Sequence, residues 1–105
     1  MSLFGKSAVN KSDSVLIECG EILDIAKAGE FQQELQAALG KGGEILLDGA
    51  HLERIDAAGL QLCVAFFHAA AARKVKANWQ APSSALIRSA GLLGLSRELG
   101  LPDKN

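Results

Sequence analysis

Apolar residues change their spacing repeatedly along this chain, and each change marks an element. Within residues 14–19 they form an unbroken run, Val15-Leu16-Ile17, closed by Gly20. A run this short and continuous predicts a strand buried on both faces. From Asp24 to Leu39 the spacing becomes helical. Ile25, Ala28, Phe31 (or Gln32), Leu35, Ala38 and Leu39 recur at three- and four-residue steps, with Lys27, Glu30, Gln33, Glu34 and Gln36 outward. Asp24 is the expected N-cap and Gly40 the expected C′ residue.

A second apolar run, Ile45-Leu46-Leu47, predicts a strand ending at Asp48. A short polar loop follows, then Arg54-Ile55-Asp56, then a helix over residues 57–73. That helix carries one apolar stripe of Leu60, Cys63, Val64, Phe67 and Ala71 and another of Leu62, Ala65, Phe66 and Ala69. A helix apolar on two sides is deeply buried or shares one side with a partner. Residues 74–80 alternate Val75, Ala77 and Trp79 with Lys74, Lys76, Asn78 and Gln80, the pattern of a half-exposed strand. Pro82 is placed to open another helix at its first position, and a final helical turn is expected around Ser96-Arg97-Glu98-Leu99. The order β-α-β-α-β-α has connections too long for hairpins. It therefore predicts an α/β fold with largely parallel strands covered by helices and a single domain over residues 14–102. Residues 1–13 are expected to be a flexible lead-in or a weak edge strand.

Composition narrows the function classes. The 105 residues are 49% hydrophobic, enough for one core, and only two are cysteines. No apolar run is long enough to span a bilayer, and the first residues lack a signal-peptide core, so a cytoplasmic protein without direct membrane insertion is expected. Cys19 and Cys63 have no paired spacing and read as small core residues of a reduced protein. Residues 1–56 hold ten acids against five bases, and residues 57–105 hold two acids against six bases. Intermixing of the two halves in one sheet could erase this asymmetry. It makes no case for nucleic acid.

Catalytic chemistry finds little to work with. A small hydrolase would need His51 paired with Glu53 or Asp56. A solvated loop histidine is the plainer reading. Metal ligation by Cys19, Cys63, His51 and His68 would draw on four distant positions without ligand spacing, so no metal is expected. Phosphate-cradling glycine loops are missing, since Gly40-Lys41-Gly42-Gly43 precedes a strand rather than opening a helix. No cofactor is expected.

The central stretch is more specific. A strand followed by Leu52-x-x-Ile55-Asp56-x-x-Gly59-Leu60, opening an apolar helix, is similar to the signature of STAS domains, the family of bacterial anti-sigma factor antagonists. Gly20-Glu21-Ile22-x-Asp24 resembles that family's approach to its first helix. Ala81-Pro82-Ser83 with Ile87 and Gly91-Leu92 resembles its late helix. The resemblance covers nearly the whole chain, in order.

The resemblance implies a STAS-like α/β fold, a small mixed, mostly parallel sheet with helices mainly on one side, and a protein-recognition switch rather than an enzyme. In typical antagonists a serine directly after the aspartate is phosphorylated by a partner kinase that is also the anti-sigma factor. This chain has Ala57 and Ala58 there, and it contains no Thr or Tyr. Switching by phosphate at this site is therefore not expected.

The expected partner-binding residues are Asp56, Ala57, Ala58, Gly59, Leu60, Leu62 and Phe66. Asp56 serves as helix cap, partner contact or both. Gly59 in a first helical turn costs about 1 kcal/mol relative to Ala, which points to close approach of another backbone. The Leu62/Phe66 stripe faces a partner, a second copy in a homodimer, or simply neighbouring helices. The implied partner is a signalling protein, such as an anti-sigma factor/serine kinase or a chemotaxis or two-component protein. The alternative is a small regulatory subunit of a lipid-transport ATPase complex.

Overall fold

A computed structural model of the chain describes residues 14–102. The lead-in expected over residues 1–13 lies outside these. In chain order the elements are β1 (Val15–Glu18), β2 (Ile22–Leu23), α1 (Ile25–Lys41), β3 (Ile45–Asp48), β4 (Arg54–Ile55), α2 (Ala57–Ala72), β5 (Ala77–Gln80), α3 (Ser84–Leu92) and α4 (Ser96–Leu99). Strands β1, β3 and β5 form one parallel sheet in that spatial order, and β2 pairs with β4 in a second, also parallel. The α/β architecture is as the spacing predicts.

Burial on the larger sheet alternates. Ile17 and Cys19, with Ile45 and Leu47, lie in the core, whereas Leu16 is 50% exposed and Leu46 half-buried. The continuous runs therefore do not mark strands buried on both faces. Among the described residues, Leu16 and its register partner Leu46 share the face turned away from the core. The core itself joins the inward residues of β1 and β3 to Phe31, Leu35 and Leu39 of α1, Leu60, Cys63 and Phe66 of α2, and Leu86 of α3.

Helix ends differ from the sequence expectation in instructive ways. Helix α1 runs through Gly40 to Lys41, and the left-handed C-cap is Gly42 (φ 83°). Two glycines so close could each end the helix, and the one with positive φ does. Helix α2 ends in a pair of bonds, Lys74 N–H to Ala71 O (3.1 Å) and Val75 N–H to Ala70 O (2.8 Å). That pattern puts Lys74 at the left-handed position, φ 60°. Lys74 and Val75 are taken up by these bonds and the Lys76 carbonyl accepts from Ile45 N–H of β3 (2.9 Å), so β5 starts at Ala77, later than the alternation suggested. Pro82 does not open α3. Ser83 is its N-cap, accepting from Leu86 N–H (3.1 Å) and donating to the Leu52 carbonyl (2.6 Å), so α3 is tied to the loop before β4.

Candidate functional site

The corner where α2 begins is built from two copies of one local design. In the first, β2 leads through Asp24 into α1; in the second, β4 leads through Asp56 into α2. Parallel pairing of Ile22 with Arg54 and Leu23 with Ile55 sets the two units side by side. Glu53 N–H donates to Glu21 O (2.8 Å) and Asp56 N–H donates to Leu23 O (3.3 Å), so the match extends beyond the strands. Neither strand was legible in the sequence. Two residues are too few to show a period.

Each aspartate caps its own helix. Asp24 Oδ1 accepts from Ala26 N–H (3.1 Å) and Lys27 N–H (3.3 Å). Asp56 divides its oxygens: Oδ1 accepts from Gly59 N–H (2.9 Å) and Oδ2 from Ile25 N–H (3.2 Å). One carboxylate therefore satisfies free amides at the starts of both helices, where its negative charge also meets their positive dipole ends.

Gly59 has an internal reason. A Cβ there would lie 2.6 Å from the Leu23 carbonyl oxygen and 3.0 Å from Ile55 Cγ1. The backbone that approaches closely is β2 of this same chain, not a partner.

The expected binding residues divide sharply by exposure. Asp56 and Ala57 are exposed, and Ala58 and Leu62 are half-buried. Gly59, Leu60 and Phe66 are buried, Phe66 to 3% exposure, and so shape the corner from beneath instead of presenting it. Leu62 and Phe66 border a groove of about 230 Å³ with Gln32, Leu35 and Leu39 of α1. Helix α1 thus covers part of that stripe, leaving Leu62 half-buried and Ala65 exposed. Ile25, expected on the buried face of α1, faces outward here and is 75% exposed, and Ile22, for which the sequence made no placement, is 37% exposed. The position of Ile25 directly after the Asp24 cap, in the first turn, was the available signal: N-terminal residues can leave the stripe that the later turns bury.

Both oxygens of Asp56 are taken by helix amides, while His51 and Glu53 are exposed. Cys19 and Cys63 are buried free thiols. Burial pushes both thiols up to about 12, with Asp48 and Glu34 adding to the effect at Cys19 and the Cys19 sulfur adding at Cys63. Thiols so held are neither nucleophiles nor ready metal ligands. Among the described residues, no group of three His, Cys, Asp or Glu side chains could hold a metal ion. No described helix is long and apolar enough to cross a membrane. A cavity of about 510 Å³ lies between the later part of α2, β5 and α4, with Phe67, His68, Trp79 and Arg97 among its walls. Trp79 is fixed there by donating its indole N–H to Leu99 O (2.9 Å) and packing against Phe67, whose ring centre is 5.7 Å away.

Charge is sorted along the molecule. Glu18 and Asp48 end β1 and β3, and Glu21, Asp24, Glu53 and Asp56 lie around β2, β4 and the helix starts. Lys41, Arg73 and Lys74 gather where α1 and α2 end, and Lys76 precedes β5, with Glu44 the acid beside it and Lys27 and Arg54 the bases at the opposite, acidic end. The chain halves do intermix, yet the asymmetry survives, because parallel α/β topology sends strand ends and helix starts to one side.

Parallel strands with helices, and a strand–aspartate–helix corner of this kind, define a STAS-type regulatory domain. The family described as "Mlab, STAS domain" matches residues 7–102, and the chain belongs to it. Among solved structures, the chain is similar to a Thermotoga maritima protein assigned as an anti-sigma factor antagonist. The TM-score is 0.70 at 22% identity, over 81% of this chain and 74% of that one. No curated protein matches the sequence.

Proposed function

We propose that this chain is a non-enzymatic interaction module of bacterial signalling that binds a partner protein through the start of α2, without phosphorylation there. The observation that carries this reading is the state of Ala57. It is exposed at the first position of α2, directly after an aspartate pinned by two helices, and it has no group to accept phosphate. The surface is thus rigid, outward and chemically fixed, which suits constitutive docking in the cytoplasm. The partner class is an anti-sigma factor, its serine-kinase form, or a chemotaxis-type component.

Ala57→Asp tests the site. An acid at the first position of a helix favours its dipole, so folding is expected to be kept while an uninvited charge enters the interface. Calorimetry with the partner is expected to show weakened binding at an unchanged melting temperature. Unchanged affinity would place the interface elsewhere. Incubation with candidate kinases and ATP is expected to give no phosphoprotein by mass spectrometry, and stoichiometric phosphate on any serine would overturn constitutive binding.

A second reading is favoured by the family description itself, "Mlab, STAS domain". In it the chain is a small regulatory subunit docking on the ATPase of a lipid-transport complex. Mass spectrometry of what co-purifies from native cells separates the two.

A further inference from the structure

The docking corner is wider than α2, and its surroundings specify what fits it. The pairing of β2 with β4 sets four acids in two neighbouring pairs, Glu21 beside Glu53 and Asp24 beside Asp56. Around the two helix starts the described bases are Lys27 and Arg54, both exposed and Arg54 the register partner of Ile22, so the acids outnumber the bases four to two. Among these acids stand Ile22 and Ile25, exposed by 37% and 75%, and the methyl group of Ala57. Single exposed apolar residues are ordinary on a protein surface, but here two isoleucines and an alanine share one rigid, capped helix start.

The caps also determine which charges a partner meets. Asp24 and Asp56 are already engaged by helix amides. Glu21 and Glu53 are exposed, and no described side chain forms a hydrogen bond to them. A partner therefore finds Ile22, Ile25 and Ala57 bordered by four carboxylates and the two bases Lys27 and Arg54, a local charge of −2. Charge at the rim of an interface governs encounter rate and partner choice, while apolar contact at the centre governs retention.

Resting on the docking reading above, we propose that the partner surface is basic and apolar. It carries an aliphatic or aromatic side chain that covers Ile22, Ile25 and Ala57, flanked by arginine or lysine side chains that meet Glu21 and Glu53. The first strand–aspartate–helix unit thereby contributes specificity to a site whose signature lies in the second.

The test uses the full chain, 15N-labelled, titrated with an amphipathic helical Leu/Arg peptide and with the same peptide carrying Glu for every Arg. The Leu/Arg peptide is expected to shift the amides of Ile22, Ile25 and Ala57, and the Leu/Glu peptide to leave them unmoved. Ile25→Ser, and separately Glu21→Lys with Glu53→Lys, are expected to weaken the Leu/Arg peptide roughly three- to tenfold. Glu98→Lys on α4 is expected to change it little. Equal binding of both peptides, or shifts centred on Leu16 and Leu46 instead, would overturn the proposal. With the native partner the two readings separate. Indifference to Ala57→Arg, whose bulk and charge both oppose a basic partner, defeats docking at this corner. Sensitivity to Ala57→Arg with indifference to the Glu21 and Glu53 reversals defeats only the charge assignment.

Discussion

The carboxylate of Asp56 holds the amide of Ile25, 31 residues earlier in the chain, at 3.2 Å. With its other oxygen on Gly59, this side chain couples the starts of α1 and α2. A loss here is felt by both helices. Asp56→Ala is expected to destabilise the domain by about 2 kcal/mol, at the upper end of single-cap losses. Amide shifts at both Ile25 and Gly59 would confirm the coupling, and a change confined to Gly59 would show that α1 does not depend on it.

Gly59→Ala brings two effects into opposition. Alanine favours the helix by about 1 kcal/mol. Its Cβ, however, would lie 2.6 Å from the Leu23 carbonyl oxygen, a backbone atom that cannot rotate away. Overpacking of this kind costs about 1–3 kcal/mol, so net destabilisation is expected in urea denaturation, with displaced amides in β2. A stabilised variant would mean that the two strand–helix units separate easily.

Lys74→Gly is expected to stabilise. Lys74 occupies the left-handed C′ position of α2, where glycine bears no Cβ penalty. The gain is about 1 kcal/mol and would appear as a melting temperature several degrees higher.

The buried thiols make stability fall at high pH. In the folded protein Cys19 and Cys63 keep their protons to about 12, whereas unfolding returns them to the ordinary value of 9.0. The unfolded chain therefore releases protons first. This contribution is complete below about pH 9 and is lost progressively as pH rises toward 12. Replacing both cysteines with alanine is expected to flatten the decline between pH 9 and 11, measured by denaturation at each pH. Thiol reagents are expected to label neither residue until the protein unfolds.

The fold was legible because its long elements carry clear periods. Phe31, Leu35, Ala38 and Leu39 follow a helical stripe, and all four are buried. The corner was half legible. Asp56 at a helix start announced a cap, but its reach to Ile25 depends on β2 pairing with β4, two residues against two. Ile25 fitted the stripe of α1 by number alone. It stands beyond the point where neighbouring elements cover the helix. Gly59 signalled a close approach correctly, while the approaching strand could be identified only in three dimensions. Ser83 was masked by Pro82, the more familiar mark of a helix start.

The sorting of acids to the helix-start end and bases to the helix-finish end reaches beyond any one contact. It gives the domain a charge dipole with a direction. Two copies brought corner to corner would set carboxylates against carboxylates. A basic partner of the kind proposed above would feel the opposite pull over about one Debye length, roughly 8 Å in physiological salt, and be turned toward the corner before contact.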